Sequence, residues 1–515
     1  MYQVEPVIYR REQKGEVPFV DTMDGNYLSH VLYEAGKRAG TPKMSIGVLG
    51  FKHLDDTKRC VESVLRFVGD IDYELILVDN GSQDDNETLE YYQSVPTTRK
   101  KIIQVEDPLG RDYGSVFGTR LMYEYASGDI FVFLGNDNII TENALQNMLI
   151  CLESSPDIGL VTPMSSNAYM LQNPMLRYST IEEMFAAAKE FNRSDPRKWQ
   201  ERMELATVAT AIKREVLIQA GFYGFWTAES DLCHRIRRAG YKTVLLGDTW
   251  VCHNHDYSSK KESQGWLDDT DNSKKKMETM RGLTLNRSGG LEQFKDIMVF
   301  EHQLISLLNE PASKTPDILA VDVRAGQPLL DVKNKLREYD IFNPTAAAFS
   351  TNAKYFTMLS TITDRVFCDR IQFLQEDLEG QQFDIILLGE PVNLYPQPES
   401  LLKALLGLLK QEGQLLLKVR NSCDAYMLKR LLGDTSETGG TAGGTGPIDL
   451  QMEALKAMAA KYGATKMKML RRVGNYDPQT VQAITNILIN TKAVNNLQEA
   501  VENILTVDFL YYLKK

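Results

Sequence analysis

Short apolar runs alternate with amphipathic segments along the chain from Met44 onward. The β-rich runs are MSIGVLGF, YELILVDN, KIIQVED and DIFVFLG, and each has the length of a buried strand. Between the first two, DDTKRCVESVLRFV repeats apolar positions at helical spacing and predicts a helix with one buried face. Strands that alternate with helices in this way are typical of an α/β domain with a mainly parallel sheet.

A second series of strands and helices begins near Asp317. The runs DILAVDV, DRVFCD, FDIILLG and GQLLLKV predict strands, and Pro398–Lys410 predicts the helix before the last of them. The Gly/Thr tract at 434–447 has too little apolar content to pack and predicts a flexible loop. In the first half, the polar stretch at 257–276 predicts a mobile loop or lid.

The length of the chain implies more than one domain. A single hydrophobic core stops growing at about 250–300 residues, and this chain has 515. The stretches around Gly289 and Pro311 predict a boundary region. We therefore expect an N-terminal arm (1–43), a first α/β domain (44–285), a linker (286–312) and a second α/β domain (313–515).

Composition and charge exclude several classes of partner. The chain is 43% hydrophobic and 25% charged, with a formal net charge of -11. An acidic balance argues against nucleic-acid and membrane-surface binding, because both are held largely by Lys and Arg. The N-terminus lacks the apolar core of a secretory signal, and no apolar run reaches the roughly 20 residues of a membrane span. We therefore expect a cytoplasmic protein without a transmembrane segment.

The cysteines predict neither a zinc site nor a disulfide framework. All six are scattered without a C-x-x-C pair. We expect reduced and mostly buried thiols at these positions: Cys60, Cys151, Cys233, Cys252, Cys368 and Cys423.

Polar residues follow two of the predicted strands, where ligands of open α/β sheets bind. Asp79 ends a strand in ELILVDNGSQDD; it either accepts a hydrogen bond from a nucleotide base or ribose, or belongs to an Asp-Asn-Gly turn. The run DIFVFLGNDNII delivers Asn136, Asp137 and Asn138, whose hard oxygens suit Mg²⁺ or Mn²⁺. The alternative is an Asx turn that caps the helix beginning near Thr141.

A glycine-rich loop lies between these two strand ends, in PLGRDYGSVFGTR. Gly110, Gly114 and Gly118 permit close backbone approach of a ligand, and Arg111 or Arg120 is placed to meet a phosphate. Glycines with this spacing are equally typical of tight packing between a helix and a sheet.

Acids and histidines come together late in the first domain, in WTAESDLCHRIRRAGYKTVLLGDTWVCHNHD. Glu229 and Asp231 precede a basic amphipathic helix, and His253 and His255 follow a strand. Each histidine alone is more often a surface residue than a ligand, and acids at a helix N-terminus are favoured by the helix dipole.

The four motifs in this order resemble glycosyltransferase family 2, with its GT-A fold. The matching segments run from Ser45 to Asp256, a little under half of the chain. They are SIGVLGF, CVESVL, LVDNGSQDD, PLGRDYGSVFG, FLGNDN and AESDLCHRIRRAGY.

The resemblance assigns roles to individual residues. It implies that Asp79 contacts the nucleotide base and that Asp137 is the surviving carboxylate of the metal motif. His253, with His255 as its substitute, matches the late metal ligand for Mn²⁺ or Mg²⁺. The expected contacts to the nucleotide-sugar are Gly50, Asp79, Gly110, Arg111, Asn136 and Asp137.

The resemblance also implies an inverting reaction. Glu229, where the family usually has Asp, is expected to remove the proton of an acceptor hydroxyl, with Asp231 as the second acid and Arg235 in the family's Arg position. The donor is expected to be a UDP-linked sugar and the acceptor a glycan or a protein. The metal motif Gly-Asn-Asp-Asn departs from the family in carrying only one acid. A catalytically degenerate binding or scaffold protein is therefore an alternative.

The second domain resembles a class I S-adenosylmethionine-dependent methyltransferase, most clearly in FDIILLGEPVNLYPQPESLLKALLGLLKQEGQLLLKV. Its first strand reads ILAVDVRAGQPLL, with Gly326 alone where that family uses several glycines. Asp322, Asp369 and Glu390 are polar strand-end candidates, although isolated acids there usually cap turns. We expect a binding or scaffold domain that does not bind S-adenosylmethionine; a bifunctional glycosyltransferase and methyltransferase is the alternative.

Overall fold

The structure of the protein is a computed structural model. It describes residues 4–10, 41–82, 84–106, 114–221, 228–254, 282, 296–425, 452–491 and 496–515, with the backbone alone at 9–10, 114–117, 228–230, 452, 480 and 491. The chain divides into two compact units, Met1–Met298 and Val299–Lys515. The second unit thus begins inside the range 286–312 that the sequence predicts as a linker. The predicted loops at 257–276 and 434–447 lie outside the described residues.

The first unit alternates strands and helices along most of its length. Its strands are β1 (Val7–Arg10), β2 (Met44–Gly50), β3 (Tyr73–Asp79), β4 (Lys100–Glu106), β5 (Ile130–Gly135), β6 (Asn138–Ile139), β7 (Ile158–Ser165), β8 (Trp199–Glu201), β9 (Thr210–Lys213) and β10 (Lys242–His253). Its helices are α1 (Leu54–Phe67), α2 (Glu87–Ser94), α3 (Gly114–Tyr125), α4 (Ala144–Ser154), α5 (Ile181–Phe191), α6 (Arg214–Ala220) and α7 (Ala228–Arg238).

The strands of the first unit form a mixed sheet in the order β1-β4-β3-β2-β5-β9-β7-β10-β6, with β8 on β10. Strands β1 to β5 pair in parallel, as do β7 and β10. Strand β9 is antiparallel to both of its neighbours, β5 and β7. Strands β5 and β7 therefore run in the same direction. The predicted α/β class with a mainly parallel sheet is confirmed.

Helices cover both faces of this sheet, which explains why its central strands are continuously apolar. Every residue of β2 is buried. Helix α1 buries Cys60, Val61 and Val64 against one face, as its amphipathic pattern predicts. On the other face, a Cβ added to Gly118 of α3 would lie 2.1 Å from Leu49 Cδ1. Gly118 thus provides close helix–sheet packing, one of the two roles open to it from sequence.

The N-terminal arm contributes a strand that the sequence pattern did not predict. Residues Val7–Arg10 add β1 in parallel to the outer side of β4. The run is only four residues long and is followed by charged residues, so its periodicity carries almost no signal.

The second unit is another α/β arrangement. Its strands are β11 (Asp317–Val321), β12 (Thr345–Ser350), β13 (Arg365–Cys368), β14 (Phe383–Leu388), β15 (Leu409–Arg420), β16 (Lys466–Val473) and β17 (Thr506–Lys514). Its helices are α8 (His302–Ile305), α9 (Gln327–Arg337), α10 (Phe356–Leu359), α11 (Leu374–Asp377), α12 (Pro398–Gly407), α13 (Met452–Lys461), α14 (Pro478–Thr491) and α15 (Leu497–Leu505).

The sheet of the second unit has the order β13-β12-β11-β14-β15-β17-β16. Its first five strands are parallel, and β17 is antiparallel to both β15 and β16. The strand order reverses between β11 and β14, so the topological switch point lies at their carboxyl ends. This confirms the predicted second Rossmann-like domain.

A short segment before β11 is fastened to the second sheet by buried charges. The Glu301 carboxylate pairs with the Lys418 ammonium, and both side chains are buried. A second oxygen of Glu301 lies 3.1 Å from the Arg472 guanidinium. Leu304 and Ile305 of α8 are buried. The chain at 299–309 is therefore part of the packed second unit.

The remaining sequence expectations concern thiols and membrane spans. Cys60, Cys151, Cys233 and Cys252 are buried thiols, and Cys368 and Cys423 are exposed thiols. In the described part of the chain, no helix combines the length and the apolar character needed to cross a membrane.

Candidate active site

The carboxyl ends of five strands of the first unit lie at one edge of the sheet. Strands β2, β3 and β5 pair in parallel, and so do β7 and β10. Strand β9 lies between β5 and β7 and is antiparallel to both, so all five strands run in the same direction. Parallel α/β sheets bind their ligands at this edge. It carries Asp79 after β3, Asp137 after β5 and His253 at the end of β10.

Asp137 and His253 meet at this edge although 116 positions separate them in the sequence. Nε2 of His253 lies 3.2 Å from Oδ2 of Asp137, and both side chains are partly buried. The short strand β6 holds them in place, because Asn138 pairs with His253 in an antiparallel ladder. The backbone amide of Asn254 also donates to the Asp137 carbonyl at 2.7 Å.

The loop after β7 fixes the protonation pattern of His253. Nδ1 lies 2.6 Å from the Asn167 carbonyl oxygen. A carbonyl only accepts, so Nδ1 must carry the proton and donate it. The lone pair of Nε2 then faces a carboxylate oxygen. These two groups repel each other unless a proton or a cation lies between them. The pair is therefore organised to share a cation.

Other polar groups around Asp137 are of types that bind a divalent cation. Nδ2 of Asn138 donates to Oδ1 of Asp137 at 2.8 Å, and Oδ1 of Asn138 is buried with no hydrogen-bond partner among the described residues. A carboxylate, an imidazole nitrogen and an amide oxygen are all ligands of Mn²⁺, and oxygens suit Mg²⁺. Among the described residues, however, no group of three or more His, Cys, Asp or Glu could hold a metal. The donor set fits a cation that takes its other ligands from a substrate.

The alternative explanation of this motif, helix capping, does not account for the contacts. Asn143 lies at the N-terminus of α4 in a left-handed conformation and makes no side-chain capping bond. The Thr141 hydroxyl donates instead to the Trp250 carbonyl on β10. The side-chain amide of Asn143 donates to the Asn192 carbonyl at 3.4 Å. Neither side chain therefore caps α4.

Asp79 is buried and bonded to its own turn. Its Oδ1 accepts from the Ser82 amide at 3.0 Å and the Ser82 hydroxyl at 2.6 Å. Burial raises the pKa of Asp79, although the bonds from Ser82 oppose that shift. The turn expected as an alternative from sequence is present, and it fixes the carboxylate at the strand end.

Asn136 and Gly50 brace the loop after β2. Nδ2 of Asn136 donates to the Lys52 carbonyl at 3.2 Å and to the Thr57 hydroxyl at 3.1 Å. A Cβ on Gly50 would lie 2.4 Å from the Tyr92 hydroxyl, so this glycine is required by packing beneath the edge. Both residues shape the edge at which a nucleotide is expected to bind.

Asp231 lies in the first turn of α7, in a buried ion pair. Nε of Arg235 is 2.5 Å from Oδ2 of Asp231, and the Asp231 side chain is 4% exposed. One turn further, the buried guanidinium of Arg237 bonds the Arg202 carbonyl and Glu201. The Asp231–Arg235 pair lies within α7, and the contacts of Arg237 fasten the end of this helix to β8 and the residue after it. The backbone of Glu229 lies in the first turn of α7.

Several predicted site residues cannot be placed. Gly110, Arg111 and His255 lie outside the described residues, as does the side chain of Glu229. Conversely, sequence reasoning missed Asn167. Its contribution is a backbone carbonyl, which any residue type supplies, so no sequence signal could have identified it.

In the second unit, the crevice at the topological switch point is cross-linked by side chains. Asp322 follows β11; its Oδ1 accepts from the Thr351 amide and hydroxyl, and its Oδ2 from the Tyr395 hydroxyl at 2.7 Å. Arg324 Nε lies 2.8 Å from Glu390 Oε1. These bonds join the loops after β11, β12 and β14.

The space beside two glycines of this crevice is also filled by protein atoms. A Cβ on Gly326 would lie 2.2 Å from Ile362 Cδ1, and one on Gly389 would lie 2.4 Å from the Asp322 carbonyl oxygen. A nucleoside cofactor would need glycines with free space and an unengaged strand-end acid. The residues at this crevice do not fit S-adenosylmethionine.

Comparison with solved structures gave distant similarities to both units. One is a structure of GalNAc-T7 with UDP, GalNAc and Mn²⁺, 15% identical, with a TM-score of 0.34, covering 46% of this chain and 48% of that one. Another is the mannosyltransferase PcManGT from Pyrobaculum calidifontis with GDP-Man and Mn²⁺, 14% identical, with a TM-score of 0.33, covering 48% of this chain and 69% of that one. This chain thus spans about half the length of the first structure.

A third similarity is to a SAM-dependent methyltransferase from Archaeoglobus fulgidus. It is 16% identical, with a TM-score of 0.27, and covers 39% of this chain and 86% of that one. No curated protein matches the sequence of this chain significantly.

A family model locates the first unit more firmly. The model described as "Glycosyl transferase family 2" matches residues 45–218. The match includes β2 with the strand ends at Asp79 and Asp137, and it ends before α7. Residues 45–218 of this chain are a glycosyltransferase family 2 domain.

Proposed function

We propose that the first unit is a metal-dependent, inverting glycosyltransferase. It moves a sugar from a UDP-linked donor to a hydroxyl group of a glycan or a protein. The observation that carries the proposal is the Asp137–His253 pair, 3.2 Å apart at the strand edge of the unit whose residues 45–218 match family 2.

Donor binding follows from the chemistry of the edge. Asp79 is held rigidly by Ser82 and accepts hydrogen bonds from the nucleotide. Asp137 and His253 hold Mn²⁺ or Mg²⁺, with His255 as a further ligand by family resemblance. A cation bound there neutralises the diphosphate of the donor. Gly110 and Arg111 are assigned to the diphosphate by the same resemblance.

The acids of α7 supply the proton transfer. Glu229 removes the proton of the acceptor hydroxyl, whose oxygen forms a bond to the anomeric carbon. The bond between that carbon and the diphosphate breaks on the opposite face, so the configuration inverts. Asp231 and Arg235 form a buried pair that supports a positioning role for Asp231 beside Glu229.

Nucleotide release in the presence of Mn²⁺ tests this function. The full-length protein should release UDP from at least one UDP-sugar. His253→Ala should lower the rate by at least about 10–100-fold, because that is the usual loss when even an outer-shell partner of a metal ligand is removed. His302→Ala, at a histidine of the second unit, should behave as wild type. Equal rates for the two variants would contradict the assigned site.

For the second unit we propose a binding or scaffold role without methyl transfer. The bonds of Asp322 to Thr351 and Tyr395 and the filled space at Gly326 support this proposal. Calorimetric titration with S-adenosylmethionine should give no binding heat at millimolar cofactor. A saturable heat with a stoichiometry near one would refute it and favour the bifunctional alternative.

A further inference from the structure

An exposed apolar surface borders the candidate active site. Five of the sixteen large apolar side chains that are exposed in the described part of the chain lie within residues 169–181. They are Tyr169 (49% exposed), Leu171 (40%), Met175 (91%), Tyr178 (38%) and Ile181 (45%). Exposed apolar residues scattered singly need no explanation, whereas five within thirteen consecutive residues point to an interaction site.

The segment that carries this surface is firmly held from beneath. Gln172 is buried; its amide group donates to the Ala206 carbonyl at 3.0 Å and accepts from the Ala206 amide at 2.7 Å. Leu176 packs with Met184 and Trp250 in a small apolar cluster. The exposed side chains are therefore presented by an ordered backbone, which lowers the entropy cost of binding.

Two adjacent residues of the segment adopt a conformation that bulky side chains rarely adopt. Met170 and Leu171 have φ of 59° and 57°. Such backbone strain persists only where surrounding contacts enforce it, and it is concentrated at ligand-binding sites. Here the bonds of Gln172 enforce it, and Leu171 is exposed as a result.

The same segment is continuous with the Asp137–His253 pair. Its first residues, Ser166 and Asn167, bond the backbone and the imidazole of His253. Further along, the ring of Tyr178 packs edge-on against Trp250, with 6.0 Å between centroids. The apolar surface thus begins at the residues that hold the site.

The charge of the segment favours a polypeptide over a lipid surface. No charged residue occurs from Ile158 to Leu176, and Arg177 is followed by Glu182 and Glu183. Interfacial binding to anionic lipid relies on several Lys and Arg residues, which are missing here. Three of the five exposed side chains, those of Leu171, Met175 and Ile181, form no strong hydrogen bond with a sugar hydroxyl, and Met is typical of surfaces that bind apolar side chains.

We propose that the surface formed by Tyr169, Leu171, Met175, Tyr178 and Ile181 is an acceptor platform. It binds the apolar side chains that flank the acceptor hydroxyl of a polypeptide. This inference rests on the proposed transferase function and selects a protein, rather than a free glycan, as the acceptor.

Two labelled peptides test the platform by fluorescence anisotropy with the full-length protein. Both carry a central serine, which is flanked by Leu-Phe in one peptide and by Asn-Gly in the other. The apolar peptide should bind at least tenfold more tightly. Met175→Ser should weaken that binding about tenfold, the lower end for losing one buried Met side chain. Leu171→Asn should act alike, since Asn tolerates the left-handed backbone.

The control is Ile150→Ser, at an apolar residue of α4 that is 48% exposed and outside the platform. It should leave peptide affinity within twofold of wild type. Equal affinity for both peptides, or no effect of Met175→Ser and Leu171→Asn, would overturn the proposal. Tighter binding to phosphatidylcholine–phosphatidylglycerol vesicles than to either peptide would also overturn it.

UDP release without peptide keeps the two proposals distinguishable. A wild-type protein that binds the apolar peptide but releases no nucleotide from any donor refutes the transferase and leaves the peptide-binding surface intact. A protein that releases UDP but does not discriminate between the peptides retains the transferase and refutes the platform.

Discussion

The two acids at the start of α7 should respond differently when each is replaced by its amide. Glu229→Gln removes the proposed base while keeping its shape, so turnover should fall about 10²–10⁴-fold, the usual contribution of general-base catalysis. Donor binding should barely change. Asp231→Asn should instead lower the stability of the first unit and have the smaller effect on turnover.

The size of the Asp231 effect follows from its ion pair with Arg235. Removing one partner of a buried pair costs about 3–5 kcal/mol, and exposed pairs contribute at most about 1 kcal/mol. The Asp231 side chain is 4% exposed and that of Arg235 22%. Because Arg235 retains some hydration and Asn still accepts one hydrogen bond, we expect a loss of about 2 kcal/mol. This lowers Tm by roughly 4–8 °C for a domain of this size.

Calorimetric melting and single-turnover kinetics at saturating donor and Mn²⁺ separate the two roles. Asp157→Asn is the control, because Asp157 pairs with Lys242 at the opposite edge of the sheet and both side chains are about 40% exposed. It should cost less than about 1 kcal/mol and leave turnover unchanged. If Asp231→Asn abolishes turnover while Glu229→Gln is nearly normal, the assignment of the base is wrong.

Three further outcomes test the second unit. Lys418→Met leaves the buried Glu301 carboxylate poorly paired and should lower the free energy of unfolding, measured in urea, by about 3–5 kcal/mol. The control is Lys403→Met, at an exposed position, which should change this free energy by less than about 0.5 kcal/mol. Burial raises the pKa of Asp322. The contribution of this carboxyl group to stability is therefore complete below its ordinary pKa of 3.8 and is lost as pH rises through the raised value. Asp322→Asn should remove this decrease of the unfolding free energy with pH, measured by urea unfolding between pH 4 and 7. Gly389→Ala places a methyl group against the backbone after β11 and should cost about 1–3 kcal/mol; an unchanged melting temperature would contradict the tight crevice.

Much of the fold could be predicted because its strands are buried on both faces. Runs such as YELILVDN and FDIILLG contain four consecutive apolar residues for that reason and mark β3 and β14 without ambiguity. Strand β12 reads TAAAFS, and alanine has no strand preference, so pairing with β11 rather than local propensity forms it. Strand β16 lies at a sheet edge with mixed exposure, where pattern is weakest.

The part of the candidate site that can be predicted from sequence consists of polar side chains at strand ends. A carboxylate and an imidazole that follow apolar runs mark Asp137 and His253 in the sequence, and the register of β6 with β10 brings the two residues together. The groups that orient these two side chains cannot be identified from the sequence. Asn167 acts through its carbonyl, and the ladder between Asn138 and His253 depends on pairing between distant segments.

Asp79 and Asp322 show why the same sequence signal leads to different sites. Each acid follows a buried strand, each is buried, and burial raises the pKa of each. The hydrogen bonds of Asp79 come from Ser82, three residues away, so they hold the carboxylate without joining separate loops. Those of Asp322 come from Thr351 and Tyr395, which follow other strands, so they tie the crevice together. The proposed ligand role of Asp79 and the structural role of Asp322 therefore differ in where the bonded partners lie, which the sequence around each acid does not reveal.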